Sequence, residues 1–188
     1  LGADPTPYES LARRAGEAFE AFWYEDGGYL YDVIDPMGRP DPALRPNQLL
    51  AVSLPHSPLD GARARRVVDA VERSLLVPLG VRTLSPDDPA YQGDYAGDRY
   101  TRDEAYHQGT AWPWLLGPLA AAWRRVHGGG ARARERIGAI LRDVEAHMEE
   151  FGLGHVAEVV AGDPPHRPGG CFAQAWSCAE ALRILQLL

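Results

Sequence analysis

What most constrains this chain is an alternation. Segments with apolar residues three and four apart, the spacing of one helix face, are separated by two loops too long and too aromatic to be plain connectors. The first segment reads Thr6 as N-cap, Pro7 in the first helical position and Glu9 as the returning acid, with Leu11, Ala15, Ala18 and Phe22 on one face. In the next long segment Ser57 caps and Pro58 starts a helix. Its Val67, Val71 and Leu75 face inward, with Arg65, Asp69 and Arg73 opposite as spaced ion pairs. Leu115, Leu119, Ala122 and Val126 form a third stripe, ended by Gly128 to Gly130. Ile137, Leu141, Val144, Met148 and Phe151 form a fourth, ended by Gly152; Phe172, Trp176, Ala179 and Leu182 form the last. With a shorter helix over 47–54, this makes about six helices.

The two loops, residues 24–48 and 84–109, share a vocabulary of Asp, Tyr, Gly and Pro. Runs such as "DPMGRPDP" are turn chemistry, because both Asp and Pro favour turns. Strand signals are few: "GYLYDVI" and "GHVAEVVAG" read as short hairpin arms. The expectation is a single all-α piece over 1–188, in which helical hairpins stack around a ring and the loops of one end form its rim.

Composition narrows the partners. A net charge of -7 offers no basic footprint for nucleic acid or an anionic membrane. No apolar run is long enough to span a bilayer, and no signal-peptide pattern opens the chain. The basic residues are all arginine, which suggests a coding bias. Cys171 and Cys178 lie two helical turns apart in a helical stretch, ~10 Å, too far for a disulfide. They are expected to be buried thiols in a reducing cytoplasm. The sequence starts with Leu1 rather than Met, which hints at a piece of something longer.

Chemistry concentrates in "RDEAYHQGTAWPW", residues 102–114. Flat aromatic rings stack on sugar faces, while Asp, Asn, Gln, Arg and His bond to hydroxyls. Such a set suits a neutral polyhydroxylated ligand. No glycine-rich phosphate loop, HExxH pattern or G-x-S-x-G elbow is present, and His107 has no second His or Cys at ligand spacing. "WPW" also fits the seed of a buried helix, and His107 fits a capping role. Glu158 stands among Val156, Val159 and Val160. A carboxylate in apolar surroundings is one route to a catalytic group, and it equally describes a structural glutamate held by an arginine. Glycoside hydrolysis needs two carboxyl groups across the scissile bond, and periodicity does not choose the pair.

Together these motifs resemble a known family. "RPNQLLAVSLP", "LLVPLGVRTLSPDDPAYQGDYAGDRYTRDEAYHQGTAWPWLLGP" and "GHVAEVVAGDPPHRPGGCFAQAWSCAEALR" are similar, in order and spacing, to the C-terminal amylo-alpha-1,6-glucosidase domain of glycogen debranching enzymes. The resemblance runs from "WYEDGGYLYDVID" to the end. It implies an (α/α)6 barrel, hydrolysis of alpha-1,6-linked glucose from glycogen or limit dextrin with inversion, and no cofactor or metal. Glu158 of "HVAEVV" matches the family's proposed base, with Ala157 in place of the usual Ser. Arg45, Asn47, Gln48, Asp103, Tyr106, His107, Gln108 and Trp112 match pocket-lining motifs and are implied substrate contacts; Gln174 and Trp176 are weaker ones. The family's general acid is an aspartate in a Trp-Met-Asp type motif, which this sequence lacks. The chain therefore reads as the C-terminal half of the barrel, inactive alone, whose partners are a branched alpha-glucan and the remaining helices. Two other readings stay open: a non-catalytic glucan-binding module, and another (α/α)6 glycosidase such as a trehalase-like enzyme.

Overall fold

The computed structural model describes residues 4–188. Seven helices account for about half of the chain: α1 (Thr6–Phe19), α2 (Gln48–Ser53), α3 (Gly61–Ser74), α4 (Arg99–Ala105), α5 (Leu116–His127), α6 (Ala131–Glu150) and α7 (Ala175–Leu185). Five of them pack in two layers. One row runs α2, α5, α7; behind it α3 packs against both α2 and α5, and α6 against both α5 and α7. Ridge-and-groove packing of this kind gives α5 neighbours on nearly every side, and its Leu116, Leu119, Ala120 and Ala122 are buried.

Two predicted caps are corrected. Thr6 lies inside α1, and the Asp4 carboxylate accepts the Thr6 N–H at 3.0 Å. α3 is capped by Asp60, which accepts the Arg63 N–H at 2.8 Å, while Ser57 only turns the preceding loop by bonding the Leu59 N–H. The reason is local: Pro58 cannot carry a helix through Leu59 and Asp60 when Asp60, in extended conformation, offers a better acceptor to the free amides. Val67, Val71 and Leu75 are buried as expected, each worth ~1.5–3 kcal/mol relative to exposure. The arginine opposite them, Arg65, bonds the Val126 carbonyl and the His127 ring rather than Asp69. The fourth stripe is also confirmed, and Gly152 ends it with φ +71°.

The last stripe is turned outward. On α7 the buried residues are Ser177 and Ile184, whereas Phe172, Trp176 and Leu182 of the expected stripe are exposed. α1 likewise buries none of its residues among those described.

The all-α expectation needs an addition. Short strands pair into two small hairpins, β1 (Trp23–Tyr24) with β2 (Tyr29–Leu30) and β3 (Val33–Ile34) with β4 (Pro40–Asp41). A third sheet is antiparallel in the order β5 (Leu76–Val77), β6 (Gly80–Arg82), β7 (Ala111–Trp112), β8 (Val159–Val160), β9 (Pro168–Gly169). Strands of two or three residues leave little periodicity to read. The sheet matters because Ala111 pairs with Val160, which sets the loop carrying Glu158 beside the segment that follows Tyr106.

Candidate active site

The site grows from that sheet. Trp112 ends β7, and Glu158 immediately precedes β8. Both residues of β8, Val159 and Val160, are buried in the core, while Glu158 just before them stays half-buried. Its backbone is fixed first: the Glu158 N–H donates to the Cys171 carbonyl at 2.8 Å, and the Gln174 N–H donates to the Val156 carbonyl at 2.8 Å. The carboxylate then takes three donors. Tyr106 O–H reaches Oε1 at 2.6 Å, Gln174 Nε2 reaches the same oxygen at 3.3 Å, and the Cys171 N–H reaches Oε2 at 2.8 Å. Gly170, at φ +67°, lies so close that a Cβ there would run into Oε2. No ion pair involves Glu158 among the described residues, so the reading of a glutamate held by arginine does not apply.

Tyr106 is the hinge of an aromatic cluster. Its ring meets Trp112 at 4.6 Å and His107 at 4.8 Å, both edge-on, and Tyr95 at 5.6 Å. His107 lies parallel to Trp112 at 5.6 Å, and Trp176 meets Trp112 at 5.8 Å and Trp114 at 5.7 Å. Trp112 Nε1 donates to the Tyr106 carbonyl at 3.1 Å, which satisfies the buried indole. Burial, reinforced by the bond to Glu158, raises the Tyr106 phenol above its ordinary range, so it stays a donor. Trp112 is 4% exposed and Trp176 is 47% exposed. The rings that face solvent are therefore His107 and Trp176, with Trp112 as the floor behind them.

The other predicted residues divide. Arg45 staples the two long loops: its guanidinium donates to the Thr83 carbonyl at 3.0 Å, the His107 carbonyl at 2.6 Å and Gln108 Oε1 at 2.7 Å. Gln48 is buried and spends both ends internally, accepting from the Leu30 N–H and donating to the Arg45 carbonyl. Asn47 is exposed and donates to Asp32 at 2.8 Å. Asp32, whose side chain is 12% exposed, also lies 3.5 Å from Arg45 Nε. Beside them opens a hollow of about 290 Å³ lined by Phe19, Phe22, Tyr31, Asp32, Asn47 and His56. Asp103, implied as a substrate contact, does not join the cluster. It is exposed on α4 and pairs with Arg99 at 3.7 Å, and the His107 carbonyl is anchored on Arg45 instead.

Sequence reasoning passed over Tyr95 and Asp32, although both lie in the two aromatic, acidic loops whose vocabulary was the signal. The thiols are also corrected: Cys171 is exposed and precedes α7, and Cys178 is half-buried. Among the described residues, no group of three or more His, Cys, Asp or Glu is arranged to hold a metal ion. Among the same described residues, no helix is long and apolar enough to cross a membrane.

Comparison with known proteins supplies a family and a fold. The amylo-alpha-1,6-glucosidase family model covers residues 1–183. The glycogen debranching enzyme of Saccharomyces cerevisiae is 30% identical over 106 residues, 52% of this chain and 7% of that enzyme. Among solved structures, the GH63 mannosylglycerate hydrolase from Thermus thermophilus in complex with glucose has a TM-score of 0.68 at 19% identity, covering 98% of this chain and 41% of that one. The same hydrolase in complex with Tris gives 0.64 at 20% identity, over 98% and 39%. At such identities the likeness to the solved structures is one of fold, and this chain spans well under half of their length. On the extent of the family match, the chain belongs to the amylo-alpha-1,6-glucosidase family of glycoside hydrolases.

Proposed function

We propose that these residues form the base-bearing half of an (α/α)6 barrel that removes alpha-1,6-linked glucose from a branched alpha-glucan, glycogen or limit dextrin. The observation that carries the reading is the Glu158 carboxylate, aimed by Tyr106, Gln174 and the Cys171 amide, at the edge of the aromatic cluster that opens at His107 and Trp176. A general base needs such orientation, because proton transfer is effective only from a positioned oxygen. In an inverting reaction Glu158 takes a proton from water as that water attacks the anomeric carbon, and an acid ~6.5–9.5 Å away protonates the leaving oxygen.

Trp176 and His107 offer ring faces to the terminal glucose, with Tyr106 and Trp112 backing them. Gln174 holds the base and has a second amide hydrogen for a hydroxyl. Arg45, Gln48, Gln108 and Asn47 act by shaping the rim, and Asn47 with Asp32 faces the adjoining hollow. Asp103 contacts substrate only if a glucan chain extends over α4. The acid comes from helices outside these residues. Two facts support that: the solved relatives are more than twice as long, and the outward apolar faces of α1 and α7 need cover. The reaction belongs in the cytoplasm, where free thiols such as Cys171 and Cys178 persist.

The test is complementation. The chain alone is expected to release no glucose from limit dextrin. Combined with an upstream half carrying the acidic residue it should do so, and Glu158→Gln should then lose ~10²–10⁴-fold in rate while keeping glucan binding. Unchanged rates in Glu158→Gln would remove Glu158 from the mechanism and favour a binding module.

A further inference from the structure

α6 carries a histidine where its packing pattern calls for an aliphatic residue. His147 follows Val144 by three positions on the face that buries Ile137, Ile140 and Leu141, and it is 7% exposed. A leucine would fill that place without the cost of burying a polar ring. The ring is used instead: Nε2 lies 3.2 Å from the Ala157 backbone nitrogen and accepts its N–H. Ala157 is fully buried, so this amide has no water to turn to.

We infer that His147 is a positioning residue for Glu158, its neutral imidazole fixing the short segment that carries the carboxylate. The segment is tied on three successive residues. Val156 and Glu158 are bonded to the 171–174 loop, and Ala157 between them is bonded to α6 through His147. The first two ties hold the segment to another loop; the third holds it to a rigid helix. Accepting an N–H requires a bare Nε2, so the proton of the ring sits on Nδ1. Protonation of Nε2 would set two donors face to face and release Ala157, moving the backbone next to Glu158.

The surroundings keep the ring neutral. Burial holds its pKa below the ordinary imidazole value, and Glu150, three residues further along α6, opposes this weakly. The Phe151 ring covers it at 5.4 Å. α5 carries its last-turn charges, Arg124, Arg125 and His127, at the far end, and on α7 Glu180 and Arg183 pair with each other at 2.6 Å. From the following loop, His155 packs on Phe172, and Glu158 is held by its own donors.

The inference rests on the proposed role of Glu158 for its importance, not for its geometry, so its test does not read catalysis first. In the full 188-residue chain, ring nitrogen shifts should report the Nδ1–H tautomer of His147 at neutral pH. Amide exchange at Ala157 should quicken about tenfold in His147→Leu and recover in His147→Gln, whose carbonyl can accept the same N–H. The carboxyl carbon resonance of Glu158 should move in the leucine variant and return in the glutamine variant. In the complemented enzyme, His147→Leu should lower kcat with KM retained. An Nε2–H tautomer, or unchanged Ala157 exchange and Glu158 resonance in His147→Leu, would overturn the proposal. Should the leucine variant not fold, the tautomer in the unsubstituted chain decides it, together with the Ala157 amide resonance, which should move in step with the protonation of His147. Glu158→Gln with full activity would sink the catalytic reading while leaving the His147 tautomer and the Ala157 amide exchange as they are.

Discussion

α1 and α5 look alike on paper and fare differently in space. Both carry apolar residues at helical spacing. α5 lies between α2, α3, α6 and α7 and buries most of its length, while α1 buries no residue among those described. α7 is intermediate, with Ile184 packed inward and Leu182, Leu185 and Trp176 facing out. The difference teaches that a stripe states which face seeks cover. It does not state whether the cover is within the same residues.

That contrast can be broken by substitution. The largest effect is expected at Leu119 of α5, 1% exposed: Leu119→Ala should cost ~2–5 kcal/mol in chemical denaturation, and a loss below ~1 kcal/mol would mean that α5 is not the central helix. Next comes Gly109, which joins the site to the core. Its φ of +147° and the Gln92 carbonyl oxygen 2.6 Å from a built Cβ leave no room for a side chain. Gly109→Ala should therefore destabilise by ~1–3 kcal/mol, whereas Gly138→Ala, where an added Cβ meets only the flexible Arg142 side chain, should not.

A smaller effect is set by pH. His147 and His127 both have folded-state pKa values below the ordinary 6.5, chiefly through burial. The unfolded chain then binds more protons than the folded one in that window, so stability is full above pH 6.5 and falls as pH drops toward the folded-state values. Thermal melts at descending pH should show this, and His147→Gln should flatten the dependence. A melting temperature that rises on acidification would contradict it. The smallest effect belongs to the outward faces: Leu182→Gln and Leu11→Gln should change unfolding free energy by no more than ~0.5 kcal/mol. The same changes should reduce self-association in sedimentation. Losing more stability than Leu119→Ala would reverse the comparison.

The site was legible in part. The 102–114 stretch announced itself because a loop does not place Trp112 and Trp114 beside Tyr106 and His107 without a packing reason, and those rings do meet. Arg45 and Gln48 were flagged as substrate contacts, but their hydrogen bonds are spent within the chain. A polar side chain in a motif looks the same in sequence whether it faces a ligand or a backbone carbonyl. His147 gave no signal at all, since one histidine in an apolar stripe breaks no pattern.

What the sequence by itself determined is local: where six of the seven helices run, α4 having been read as part of the 84–109 loop, that Gly128 and Gly152 end two of them, that Asp35 turns its loop by accepting the Met37 and Arg39 N–H groups at 2.9 Å, and which loops hold the chemistry. These follow from side-chain spacing and backbone preference within a few residues. Only the tertiary structure decided that Glu158 meets Tyr106, 52 positions away, and that α7 shows its apolar face to solvent. Such pairings rest on strands of two residues and on packing between layers, and neither leaves a periodic trace along the chain.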